Sequence, residues 1–203
     1  MKILTKFVVI SAVNLMPIIA FSGEQANLPE PKVGNIHKYA DKVASINCSV
    51  WETVEINKNG YIVDKCNDYL MYRNKDSLNI SKITDKSGYE VVKFQPEFPG
   101  LMFPLEIGKK WDVKYSGFTA DNNTKWQSRV KCETKVIEKL SVGSDSLDTY
   151  RIDCEDQWSS GIYTGISHSS RWYSPTANEV IKITGKEDAR WNQELINYRL
   201  MGN

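Results

Sequence analysis

The chain predicts an all-β fold: a curved antiparallel sheet of about ten strands in meander order, forming a sandwich or an open barrel. Three observations predict it. Segments rich in β-branched and aromatic residues follow one another from Ser45 to Leu200. Clusters of Asn, Asp, Gly and Ser separate them at short intervals. Within the strands apolar and charged residues alternate, as in Tyr150-Arg151-Ile152-Asp153-Cys154-Glu155, the pattern of a sheet with one buried and one wet face.

Residues 1–22 have the layout of a secretory signal peptide. Lys2 and Lys6 precede the apolar run Phe7 to Phe21, which is shorter than the roughly 20 residues needed to span a bilayer and ends in Ala20-Phe21-Ser22. Residues 23–43 are polar, carry Pro29 and Pro31, and read as a flexible lead-in with one short helical turn at most. Residues 44–203 then form a single β domain. Strands are expected at Ser45–Ile56, Tyr61–Tyr72, Ser77–Ile83 and Tyr89–Phe94, separated by the turns at 57–60, 74–76 and 85–88. A loop marked by Pro96, Pro99, Gly100 and Pro104 leads to a second run of strands. These are Lys110–Thr119, Thr124–Leu140, Asp148–Trp158, Tyr163–Tyr173, Glu179–Thr184 and Ala189–Leu200. The last has a helical alternative, since Trp191, Leu195 and Tyr198 repeat at helical spacing.

Composition excludes several function classes. Without the signal segment the chain has 24 basic residues against 25 acidic ones, a mixed, near-neutral balance that gives no electrostatic case for nucleic acid or an anionic membrane. No later apolar stretch is long enough for a transmembrane helix. An outer-membrane barrel is the rival architecture, but Lys131, Glu133, Lys135, Glu138 and Lys139 fall in one strand, and that face belongs in water. Four cysteines in an exported chain read as two disulfides, with Cys48 to Cys66 and Cys132 to Cys154 favoured. If the second bridge crosses a hairpin, the same register leaves a five-residue loop from Ser141 to Asp145. The first fits its hairpin less well, because Asn59-Gly60 is the stronger turn and shifts the register unless a bulge intervenes. Neither histidine has zinc-like spacing to a cysteine, and no EF-hand loop is present, so neither metal nor cofactor is expected.

Catalytic candidates are few. His37 lies in the polar lead-in and reads as solvated. His168 sits among Ser167, Ser169 and Ser170, but without the G-x-S-x-G turn that exposes a nucleophile. Asp153, Glu155 and Asp156 flank Cys154 and offer paired carboxylates. A secreted hydrolase built on His168 or this acidic cluster predicts that the groups converge in one cleft. The surplus of aromatics points elsewhere. Trp126, Trp158, Trp172 and Tyr173 are the candidates to line a cavity for an apolar or glycan ligand, with Trp126 and Trp158 the most exposed. Asn47, Asn79 and Asn122 head glycosylation sequons, which matter only in a eukaryotic source.

Three stretches carry a resemblance: Phe103-Pro104-Leu105-Glu106-Ile107-Gly108-Lys109-Lys110-Trp111, then Val142 to Ile152, then Trp172-Tyr173-Ser174-Pro175 with Val180-Ile181-Lys182. Over residues 50 to 185 they resemble a family of uncharacterised exported β-proteins of bacteria, with the pattern FPLxVGKxW, VPAGTFxTYRI and WYSPxxxxxVK. The chain departs from it at Gly143 to Leu147. The resemblance implies a bacterial envelope setting and a curved antiparallel sheet, and no reaction. Physically, Trp111 suits an indole sealing the core, and Pro175 suits the end of a strand whose Trp172 and Tyr173 face opposite ways. The expected function is therefore that of a non-enzymatic periplasmic or secreted β-domain, binding an apolar ligand or an envelope protein.

Overall fold

A computed structural model describes residues 25–40, 46–187 and 192–202. The signal segment 1–22 lies outside the described residues. Twelve antiparallel strands run in order around a closed barrel. They are β1 (Ile36–Tyr39), β2 (Val50–Ile56), β3 (Tyr61–Cys66), β4 (Tyr69–Asn74), β5 (Ile80–Asp85), β6 (Glu90–Gln95), β7 (Lys110–Thr119), β8 (Thr124–Val142), β9 (Asp145–Ser160), β10 (Tyr163–Ser174), β11 (Glu179–Gly185) and β12 (Gln193–Arg199). Each strand pairs with its sequence neighbours, and β1 joins β12 with Ile36 opposite Arg199. The expected curved meander is present, with full closure.

Three expectations about the elements are corrected. The stretch Tyr61–Tyr72 is two strands, because Asn67 takes a positive φ of 52° and turns the chain at Asn67-Asp68. The lead-in contributes β1, whose His37 and Tyr39 are buried while Lys38 between them is exposed. A strand of four residues offers too few alternations to stand out in a polar sequence. The helical alternative for the last segment fails: Gln193–Arg199 is a strand, while Trp191 lies outside the described residues.

Both disulfides form as paired in the sequence. Cys132 stands directly opposite Cys154 between β8 and β9, and that register runs from Gln127↔Ser159 to Thr134↔Ile152. A bulge at Lys135 then shifts the pairing by one, so the hairpin closes on Gly143-Ser144 rather than on the expected five-residue loop. Cys48 precedes β2 and reaches over to the end of β3, so its bridge has no hairpin register to satisfy. Replacing Cys132 and Cys154 together by alanine is expected to lower stability by about 2–4 kcal/mol, through the loop freed in the unfolded chain, read as an earlier denaturation midpoint without reductant.

The interior is filled by the chain itself. The segment between β6 and β7 enters the barrel: Phe98 packs on Phe94 and Tyr115, Phe103 packs edge-on against Tyr173 at 5.0 Å, and the Trp111 indole donates to the Pro99 carbonyl at 2.9 Å. Asn79 holds the same segment by donating to Leu101 O and accepting from Leu101 N–H. Fully buried Leu105 bridges Ala26. At that end of the barrel the β10–β11 turn also packs in, burying Ser174 and Ala177.

Beneath that turn lies a charged cluster. Arg73 on β4 donates to Asp64 Oδ2 on β3 at 2.6 Å and to Glu179 Oε2 at the start of β11 at 2.8 Å. Thr53 on β2 donates to the other Asp64 oxygen at 2.7 Å. His37 Nε2 donates to Ala177 O at 3.3 Å, and its Nδ1 lies 3.7 Å from Glu179. The cluster ties three adjacent strands to the far wall. Burial, with the negative Glu179 beside them, raises the Tyr39 and Tyr173 hydroxyls above their usual range. Among the described residues the pairing of β11 with β12 spans Lys182↔Glu194 and Ile183↔Gln193, and the β8–β9 tip braces that seam where Tyr198 Oη donates to Asp145 Oδ2 at 3.0 Å.

Candidate functional site

The long strands β7 to β10 place their alternate residues in rows across the outer wall. One row runs Asp112, Lys131, Glu155, His168; the next runs Lys110, Glu133, Asp153, Ser170, Thr184. Together with Lys135 and Lys186 they line an outer groove of about 1090 Å³. Asp153, Glu155 and His168 thus converge, as the hydrolase reading requires. Asp156 does not: one residue further along the strand, it faces inward and accepts from Tyr115 Oη.

Most charges in the groove are paired. Arg129 forks onto Asp112 at 2.7 and 2.8 Å, and Glu133 is shared by Lys110 and Lys135. Arg151 and Ser170 both donate to Asp153, at 3.2 and 2.7 Å. Glu187 accepts from the His168 backbone N–H at 2.6 Å and lies 2.9 Å from its Nδ1. These bonds hold the Glu187 carboxyl below the ordinary carboxylate range, as the Arg129 fork does Asp112. Among the described residues Lys131 and Lys186 make no ion pair within 4 Å, and Glu155, opposite Lys131, is met by no lysine or arginine but by His168 Nε2 at 3.9 Å, so the groove keeps charges of both signs outside its fixed pairs. No known family, curated protein or solved structure matches the chain. The groove is read on its own geometry.

That geometry is poor for hydrolysis. Glu187 on Nδ1 orients the His168 ring as a general base needs, but the Ser170 hydroxyl is turned to Asp153 and the free Nε2 faces Glu155 at 3.9 Å, so nucleophile and base are not joined. Among the described residues no group of His, Cys, Asp and Glu is arranged to hold a metal.

The aromatic candidates are not gathered in one place. Trp126 lies over Gly117, directly opposite on β7, and Trp158 lies over Gly165, directly opposite on β10. A Cβ on Gly117 would come within 2.0 Å of the Trp126 ring, so each glycine is the seat of its tryptophan. Both indoles are half-buried, less open than their turn-proximal positions suggested. Trp172 is on the outer wall, with its indole N–H on Glu138 and Lys182 above its ring. Tyr173 is wholly buried inside. Inside, Tyr115, Asp156 and Arg171 form a second polar group. Burial raises Asp156 and pushes Arg171 down to about 10, while Arg171 stacks on Phe98 at 4.4 Å.

His37, read as solvated, is instead part of the buried Arg73 cluster. Sequence reasoning missed Lys131, Lys186 and Glu187. A signal for the first was available: the register of the Cys132–Cys154 bridge sets Lys131 opposite Glu155 and Glu133 opposite Asp153.

Proposed function

We propose that this chain is an exported, non-enzymatic binding domain of the bacterial envelope that holds a protein partner in the groove on its outer wall. The observation that carries this reading is the placement of concavity and charge: the outer wall is hollowed and polar, while the inside is taken up by the Phe98 to Leu105 segment. An apolar ligand would have to displace Phe98, Leu101 and Phe103, so the protein-partner form of the expectation is preferred. Lys131 and Lys186, held in no direct ion pair among the described residues, and Glu155, held by no lysine or arginine, suit a partner presenting complementary charges of both signs within a mixed polar surface. Two disulfides suit an oxidising compartment, which supports export and, with the resemblance noted above, the periplasm or the medium. Among the described residues no helix is long and apolar enough to cross a membrane. A lipid-spanning barrel needs an apolar outer band, and Lys110, Asp112, Lys131, Glu133, Asp153 and Glu155 occupy that face here.

Photo-crosslinking in intact cells tests the reading, with a photoreactive residue at Thr184 in the groove or at exposed Lys65 on β3. A discrete adduct is expected from Thr184, lost when Lys131→Glu and Lys186→Glu are added, and absent from Lys65. Equal adducts from both positions, or an apolar molecule in stoichiometric amount in the native mass spectrum of the purified protein, would overturn it.

A further inference from the structure

The barrel is closed, yet among the described residues one stretch of its wall has an open edge. β11 pairs with β10 only from Ser169 onward, while β10 begins at Tyr163. The transition is marked at His168, whose carbonyl accepts from Lys186 N–H at 2.9 Å and whose N–H donates to Glu187. Two and four residues earlier, Ile166 and Thr164 point their backbone N–H and C=O the same way, because strand residues alternate in direction. Among the described residues nothing pairs with them on that side. The edge also lacks the devices that normally keep strand edges apart. From Gln157 to Ser167 there is no charged residue and no proline, in a chain that is 25% charged. Its apolar side chains stand in solvent: Ile162 is 91% exposed, Tyr163 70% and Ile166 52%.

We infer that this edge pairs with the same edge of a second copy of the chain, forming a two-fold symmetric dimer by strand addition. The self-pairing is argued from register and charge. With the two-fold axis at Gly165, Thr164 of each copy faces Ile166 of the other, so their outward N–H and C=O groups bond reciprocally, and the antiparallel arrangement follows from the symmetry. Gly165 bonds toward β9 in each copy and needs no partner at the axis. Because the segment is uncharged, the symmetric approach brings no like charges together, where a charged edge would set each charge near its own copy. Exposed Ile166 and Ile162 are then covered. The interface is short, so the dimer is weak and reversible.

Light scattering after size exclusion, over a wide range of protein concentration, tests this together with amide hydrogen exchange. A monomer–dimer equilibrium is expected, with the Thr164 and Ile166 amides slowing as dimer accumulates and the Gly165 amide unchanged. Ile166→Lys and Thr164→Pro are each expected to abolish the dimer without altering the melting temperature. A monomer at every concentration overturns the inference, as does a dimer that persists in both variants. Slow exchange of Thr164 and Ile166 in the dilute monomer also overturns it, the edge then being covered from within the chain.

Discussion

Replacing Arg73 by methionine is expected to destabilise the barrel by about 3–5 kcal/mol, because it removes the cation and leaves two carboxylates behind in a dry interior. Asp64 and Arg73 are buried and Glu179 nearly so; the guanidinium bonds both acids, and the acids come from strands on opposite walls. Burial alone would push Arg73 toward neutrality, but the charges of Asp64 and Glu179 outweigh it and hold the guanidinium above its ordinary range. The charge is therefore present throughout the accessible pH range. Urea denaturation of the single variant against Arg73→Met/Asp64→Asn/Glu179→Gln separates the sources of the loss. Neutralising all three is expected to restore most of the stability, since the damage lies in orphaned charge rather than in a missing attraction. A single variant costing under about 1 kcal/mol would show that water reaches the cluster and screens it.

The second large effect is expected from Leu105→Ala, at about 2–5 kcal/mol. Leu105 is fully buried at the end of the segment that fills the barrel, and its backbone is pinned by two hydrogen bonds to Ala26, so the main chain at this position is held in place when the side chain is shortened. Leu105→Met, which conserves volume, is expected to cost under about 1.5 kcal/mol. Thermal and urea denaturation of the pair provide the check. If alanine and methionine cost the same, Leu105 acts through its backbone bridge rather than by filling space.

The sequence revealed the wall of this molecule better than its contents. Period-two alternation in Tyr150 to Glu155 and the turn clusters after Ile56 and Ile83 are local signals, and the strands they mark are present. The bulge at Lys135 is not local: an extra residue in one strand is defined only by the strand opposite, and nothing in Thr134-Lys135-Val136 announces it. The Pro-marked loop read as a connector because prolines and glycine suit surface turns. Its Phe98, Leu101, Phe103 and Leu105 were the sign that it faces an apolar space, but a lone loop carries no periodicity to say which space. The groove shows the same division. That Asp153 and Glu155 share a face follows from their spacing, whereas their meeting with His168 and Lys131 depends on which strands are neighbours. The tryptophans misled for a related reason: Trp126 and Trp158 sit beside turns, and what shields them is a glycine on another strand.

Closure between the first and last strands has a consequence for how the molecule is assembled in time. Every other joint in the ring links elements adjacent in the chain and is able to form as soon as both have emerged. The β1–β12 joint brings Ile36 to Arg199, so it waits until every strand between them has emerged. A chain emerging N-terminus first, from a ribosome or through a membrane, therefore spends that interval as an open sheet with raw edges at β1 and at whichever strand came last, and the two edges meet only once β12 has emerged. Completion of the ring is then the last joint to form, and the period before it is when the chain is most exposed to pairing with the wrong neighbour.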